Sequence, residues 1–153
     1  MAGSQTEPEA AVPTGYVLVP VPQELVARVG QEVMRLQWTA QGVARPWPID
    51  DIVELLMSSD ELVTILIRSA ARAELEHRTL GDVEVAEHLG ISTRELAGII
   101  REVNDSGPTG VLDLLVLHRE HRAGDVVREL RMMGEHARRV EEAVVIARRR
   151  RTR

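Results

Sequence analysis

The chain has no cysteine, no phenylalanine and no lysine among its 153 residues. Without cysteine there are no disulfides and no thiolate metal ligands. Aromatic residues make up 2% and hydrophobic residues 44% of the chain, so the core must be assembled from Val, Leu, Ile, Met and Ala. All 19 basic residues are Arg, and avoidance of Lys and Phe is the compositional habit of GC-rich coding genomes. No apolar run approaches the roughly 18 residues of a membrane span. The N-terminus lacks the basic-then-apolar order of a secretory signal. A cytoplasmic protein is expected. The chain also lacks a glycine-rich nucleotide loop, a serine nucleophile elbow and any other constellation that builds an active site, so neither an enzyme nor a cofactor is expected.

Net charge is −5, unevenly spread. Arg148, Arg149, Arg150, Arg151 and Arg153 crowd the C-terminus; without them the balance is 14 − 24 = −10. An acidic body with a basic tail results. The tail stabilises a helix C-terminus, and its five arginines are candidate phosphate contacts that would make affinity depend on salt but not on sequence.

The stretch from Asp82 to Val103 organises the chain. Val83, Ala86 and Leu89 recur at helical spacing and mark the inner face of a short helix with Asp82 as its cap. Gly90 follows, where a helix C-terminus needs positive φ. Ser92 and Glu95 have the spacing of a capping box, and Leu96, Ile99, Ile100 and Val103 supply the buried face of the second helix. Small Ala86 permits close crossing, and Ile91 plugs the corner.

This pattern resembles a helix-turn-helix, through Ala86, Gly90 and the apolar positions Val85, Leu89, Ile91, Leu96 and Ile99. The resemblance implies that Ser92, Thr93, Arg94, Ala97, Gly98 and Arg101 face DNA, with Arg94 placed for a guanine edge and Arg101 for phosphate. The segment's own charge is −3, two Arg against Asp82, Glu84, Glu87, Glu95 and Glu102.

Elsewhere the expectations are as follows. Residues 1–14 form a disordered tail. Residues 15–48 hold an arm (Tyr16 to Pro22, extended or an edge strand), a helix to about Leu36 with the stripe Leu25, Val29, Val33 and Leu36, and a linker clamped by Trp38 and Trp47. A winged helix-turn-helix domain covers 49–122. Within it Asp50 caps one helix, Ser58 and Glu61 box another, Thr79-Leu80 contributes a minimal strand, and Val111 to Leu117 a longer one. The turn before that strand, Asn104 to Gly110, has no Arg, which leaves wing contact with DNA in doubt. Residues 123–147 form a long helix from Gly124 or Asp125. Its positions Val126, Leu130, Met133, Ala137, Val140 and Val144 make a heptad seam suited to homodimerisation, or alternatively to packing on the chain itself. Residues 148–153 are the basic tail.

His118 and His121, three apart, have helical metal-ligand spacing, but no third ligand is placed and no metal is expected. The fold class expected is mainly α, a winged helix-turn-helix with a small β element. The function expected is a sequence-specific, repressor-like transcriptional regulator acting on double-stranded DNA as a homodimer, similar to small actinobacterial or actinophage regulators. The alternative is a protein-interaction module of the same fold, a polymerase-associated or antitoxin-like factor, without base readout.

Overall fold

Ile52, Val53 and Leu56 share one face of α2 (Ile49–Ser58), and Leu66, Ile67, Ala70 and Ala71 share one face of α3 (Glu61–Leu75). The computed structural model describes residues 12–40 and 44–153; the side chains of Trp38 and Thr39, and nearly all of the expected disordered tail, lie outside the described residues. Asp60 starts α3, its carboxylate accepting from the Val63 N–H at 2.9 Å. Asp60 therefore takes the place expected for Ser58, which ends α2. Pro48 rather than Asp50 precedes α2, and Asp50 and Asp51 occupy its first turn, where carboxylates complement the helix dipole.

The C-terminal helix, α6 (Gly134–Arg151), packs on α2 and α3. Ala137, Val140, Ala143, Val144 and Ala147 are its buried apolar residues, and the three alanines let the helices approach closely. This corrects the expected dimer seam. Val126 and Leu130 lie in a strand, β3 (Asp125–Arg131), and Met133 precedes α6, while Ala137, Val140 and Val144 are spent on the chain's own core. Gly124 ends a hairpin turn instead of starting a helix. Ala123 and Gly124 have φ of 49° and 83°, the two left-handed residues of a type I′ turn. Gly134 sits in the first turn of α6, so it lacks the cost of a mid-helix glycine.

β3 is the centre of a three-stranded antiparallel sheet, between β1 (Leu80–Gly81) and β2 (Val116–Arg122). Leu130 faces Leu80 on one side and Leu117 on the other, tying the sheet to the core. The strand expected over Val111 to Leu117 is displaced toward β2. Leu112, Leu114 and Leu115 are buried without alternation, and their backbone finds a side chain instead of a ladder. Asn104 accepts from the N–H groups of Leu114 (2.9 Å) and Leu115 (3.0 Å) and donates to the Leu115 carbonyl (2.8 Å).

Trp47 is 1% exposed and locks the linker down. Its indole N–H donates to the Leu112 carbonyl at 2.9 Å, and its backbone N–H donates to Nε2 of His136 at 3.0 Å. Arg45 bridges to Val111 beside it. The ring lies so close to Gly107 that a Cβ there would overlap it.

His136 is fully buried, and acceptance at Nε2 leaves the proton on Nδ1. Burial pushes the imidazole down from 6.5 to about 4, and the nearby Arg139 and Arg35 cations add to the effect. A folded value below the unfolded one means that the unfolded chain takes the proton first as pH falls. The His136 contribution is therefore complete above about pH 6.5 and is lost on descending to about pH 4, by about 3 kcal/mol in all. Urea unfolding at pH 7.5, 6 and 5 should show this decline in the parent and a much shallower one in His136→Gln, whose amide can still accept from Trp47. Parallel pH profiles would contradict it.

The N-terminal helix, α1 (Val26–Ala40), extends four residues beyond the expected end at Leu36. It meets the body through polar groups. Arg35 donates to Glu135 at 2.9 Å, Gln31 lies 3.4 Å from His118, and Arg28 lies 3.9 Å from Glu74. Its apolar stripe, with Leu25 in the single turn of 3-10 helix just before it, does not join the core: Leu25, Val29, Val33 and Leu36 are 40–53% exposed. The arm before it carries Tyr16, Val17, Leu18 and Val19 still more exposed, and pairs with no strand among the described residues.

Candidate nucleic-acid interface

Two short helices, α4 (Asp82–Leu89) and α5 (Thr93–Asp105), flank a turn at Gly90, whose φ of 69° is the left-handed value expected there. Ser92 Oγ accepts from the Glu95 N–H at 3.1 Å while the Glu95 carboxylate accepts from the Ser92 N–H at 2.8 Å, completing the capping box. The inner face of α4 is rotated from the expected one. Val85 and Ala86 are buried, and Val83 is outward. Helix α4 begins one residue after its N-cap Gly81, so Asp82 is a first-turn residue that accepts from the Val83 N–H at 2.8 Å. Leu96, Ile100 and Val103 bury the inner side of α5.

The outer side of α5 is open. Arg94, Ala97, Gly98 and Arg101 recur at i, i+3, i+4 and i+7, a stripe about 10 Å long between its two arginines. Ser92, Thr93, Arg94 and Arg101 are exposed, and Ala97 and Gly98 between them are half-buried. A Cβ at Gly98 would meet no atom within 4 Å, so internal packing does not require this glycine. Glu95 and Glu102 lie about 90° round the helix from the stripe, which separates the acids from the arginines; Asp105 ends the stripe at the last turn.

After α5, the chain passes through the segment pinned by Asn104 into the β2–β3 hairpin. The order helix, turn, helix, hairpin, with β1 closing the sheet before α4, is decisive. The fold is a winged helix-turn-helix. The wing is more basic than the Asn104–Gly110 turn suggests, because its tip lies at Ala123-Gly124 and not in that turn. One face carries Leu117 and Leu130 into the core and, two residues further out, places Arg119 opposite Arg128. Both are exposed, and among the described residues neither guanidinium has an ion pair or hydrogen bond. Like charges directly opposite destabilise a hairpin in isolation. On the other face Arg122 and Arg131 each lie 2.8 Å from the buried Glu129 carboxylate. The signal for Arg119 and Arg128 was a two-residue Ala-Gly connection between extended runs.

The other candidates disperse. His118 and His121 lie on β2, where residues three apart point to opposite faces. Among the described residues no group of three or more His, Asp or Glu is arranged to hold a metal ion. The basic tail continues α6 to Arg151, which donates to the Leu56 carbonyl at 3.0 Å, while Arg150 approaches Asp50 at 4.0 Å. Arg148, Arg149 and Arg153 are exposed. Among the described residues no helix is long and apolar enough to cross a membrane.

No family model and no curated protein matches the chain. Among solved structures it is similar to MepR, described as a transcription regulator of the Staphylococcus aureus multidrug efflux pump MepA. The two share 10% identity over 86% of this chain and 81% of that one, with a TM-score of 0.45.

Proposed function

We propose that the chain is a sequence-specific DNA-binding transcriptional regulator that acts as a homodimer. The observation that carries this reading is the stripe Arg94, Ala97, Gly98 and Arg101, left open along α5, together with a wing whose Arg119 and Arg128 have no partner among the described residues. An α-helix fits the major groove of B-DNA, about 12 Å wide and 8.5 Å deep. Arg94, near the N-terminus of α5, reaches a guanine edge. Ser92 and Thr93 meet phosphate at the helix start. Ala97 and Gly98 let the helix backbone approach the base edges, and Arg101 takes a phosphate further along. Arg119 and Arg128 find in the DNA backbone the anion that relieves their mutual repulsion.

The partner surface we propose is the arm and the outer stripe of α1. Tyr16, Val17, Leu18, Val19, Leu25, Val26, Val29, Val33 and Leu36 are all at least 40% exposed and are spread over residues 16–36. Contiguous apolar patches beyond about 600 Å² are rare on monomers and mark interfaces. A second copy supplies an equivalent stripe, and twofold pairing sets two recognition helices on one duplex. Val29→Glu/Val33→Glu is expected to sediment as a monomer where the parent sediments as a dimer, since each buried carboxylate would lack a partner. An unchanged dimer would remove α1 as the interface.

Selection from a random duplex pool tests the function. The expected product is an inverted repeat with half-sites one helical turn apart, about 10 bp centre to centre. A pool without enriched sequences, together with no retained band even at low salt, would instead support a protein-interaction module.

A further inference from the structure

Helix α3 has a second face that the core does not use. Ile65, Arg68, Ser69 and Arg72 follow one another at i, i+3, i+4 and i+7 and form one wall of a cleft of about 470 Å³. Its opposite wall is α4, through Glu84, Val85, His88 and Leu89, and Arg78 and Leu80 close one end. The volume falls within the range of small-molecule sites, roughly 300–1,000 Å³.

The chemistry of the cleft is two-sided. Leu66, Leu80 and Val85 are buried residues that make an apolar floor. Three arginines stand over it against a single lining carboxylate, Glu84. Arg78 is engaged by Glu76 at 2.6 Å. Arg68 and Arg72 differ: among the described residues neither guanidinium makes a hydrogen bond or an ion pair. They lie one turn apart on the same helix, an arrangement of like charges that disfavours the helix. An acidic chain of net charge −5 has thus left two cations unneutralised at the mouth of an apolar recess.

We propose that this cleft binds a small organic acid, a carboxylate or phosphate carrying a short apolar body. The anionic group is taken by Arg68 and Arg72, whose planar forks match either oxyanion bidentately. The apolar body covers Leu80, Val85 and Leu89. A duplex backbone is the poorer occupant, because its sugar–phosphate surface has nothing to place on an apolar floor. Because α4 is the first helix of the helix-turn-helix, an occupant wedged between α3 and α4 shifts the motif relative to the body. That consequence rests on the DNA-binding reading above; binding in the cleft does not.

Calorimetry on the full chain tests binding without DNA. Hexanoate and hexyl phosphate are the probes, with hexanamide and inorganic phosphate as controls. One site per chain is expected for at least one of the two acids, at least tenfold weaker binding for both controls, and at least a tenfold loss for that acid in Arg68→Gln/Arg72→Gln, with circular dichroism confirming that this variant folds. Absence of saturable binding of either acid overturns the proposal, as does affinity unchanged in the variant. Inorganic phosphate binding as well as hexyl phosphate removes the apolar wall from the site and equally counts against it. If the acids fail and the variant instead loses affinity for duplex DNA, the two arginines are backbone contacts, the cleft is not a ligand site, and the DNA-binding reading survives.

Discussion

Arg94→Ala should abolish discrimination between the selected duplex and random DNA while leaving the fold intact. Arg94 is exposed on the first turn of α5, and among the described residues its guanidinium makes no hydrogen bond or ion pair, so its removal costs the protomer little. A bidentate arginine–guanine pair contributes about 1–3 kcal/mol of discrimination, a factor of about 5–150 per half-site. Two half-sites in one dimer double that free energy. Gel-shift titrations of specific and scrambled duplexes at several salt concentrations separate this from charge loss. Arg119→Ala and Arg128→Ala should weaken both duplexes alike and reduce the salt slope by about 1 each. Selectivity surviving in Arg94→Ala would move base readout elsewhere on α5.

The second large effect is on stability. Trp47→Ala should lower the unfolding free energy by about 3–5 kcal/mol, the range for deleting a large buried aromatic. A domain of this size has about 5–15 kcal/mol in total, so the variant would be close to unfolding. Three connections fail together. The ring leaves a cavity beside Gly107, the Leu112 carbonyl loses its donor, and the linker loses its hold on the segment leading to the wing. Trp47→Phe, which restores most of the volume but not the indole N–H, should recover more than half of the loss. Urea unfolding reports both. A cost below 1 kcal/mol for Trp47→Ala would mean that the clamp contributes nothing.

The helix-turn-helix was legible in the sequence because its determinants are local. The Ser92–Glu95 box and the left-handed turn at Gly90 are short-range requirements of the backbone, and Ala86 and Leu96 fall where a close helix crossing must put them. The C-terminal third was not legible. Val126 and Leu130 are four apart, which suits a helix, and Ala137, Val140 and Val144 continue the rhythm. A hairpin and a separate helix carry the same residues. What separates them is Ala123-Gly124 in a left-handed turn and Leu130 opposite both Leu80 and Leu117. Strand pairing between residues fifty apart leaves no periodic trace at either one. The cleft between α3 and α4 was illegible for the same reason, since Arg68 and His88 belong to different helices.

By its sequence alone the chain determined an aliphatic core, two capped helices with an arginine-bearing outer stripe, and an apolar N-terminal helix. These depend on residue chemistry and on spacings of a few positions. Only the tertiary structure decided that α6 folds back on α2 and α3, which leaves α1 as the apolar surface still to be covered. Only it placed Arg119 opposite Arg128 and gathered Arg68 and Arg72 over a recess. The physical reason is competition for burial: a repeat of apolar residues states that a face must be hidden, and the packing of distant elements selects what hides it.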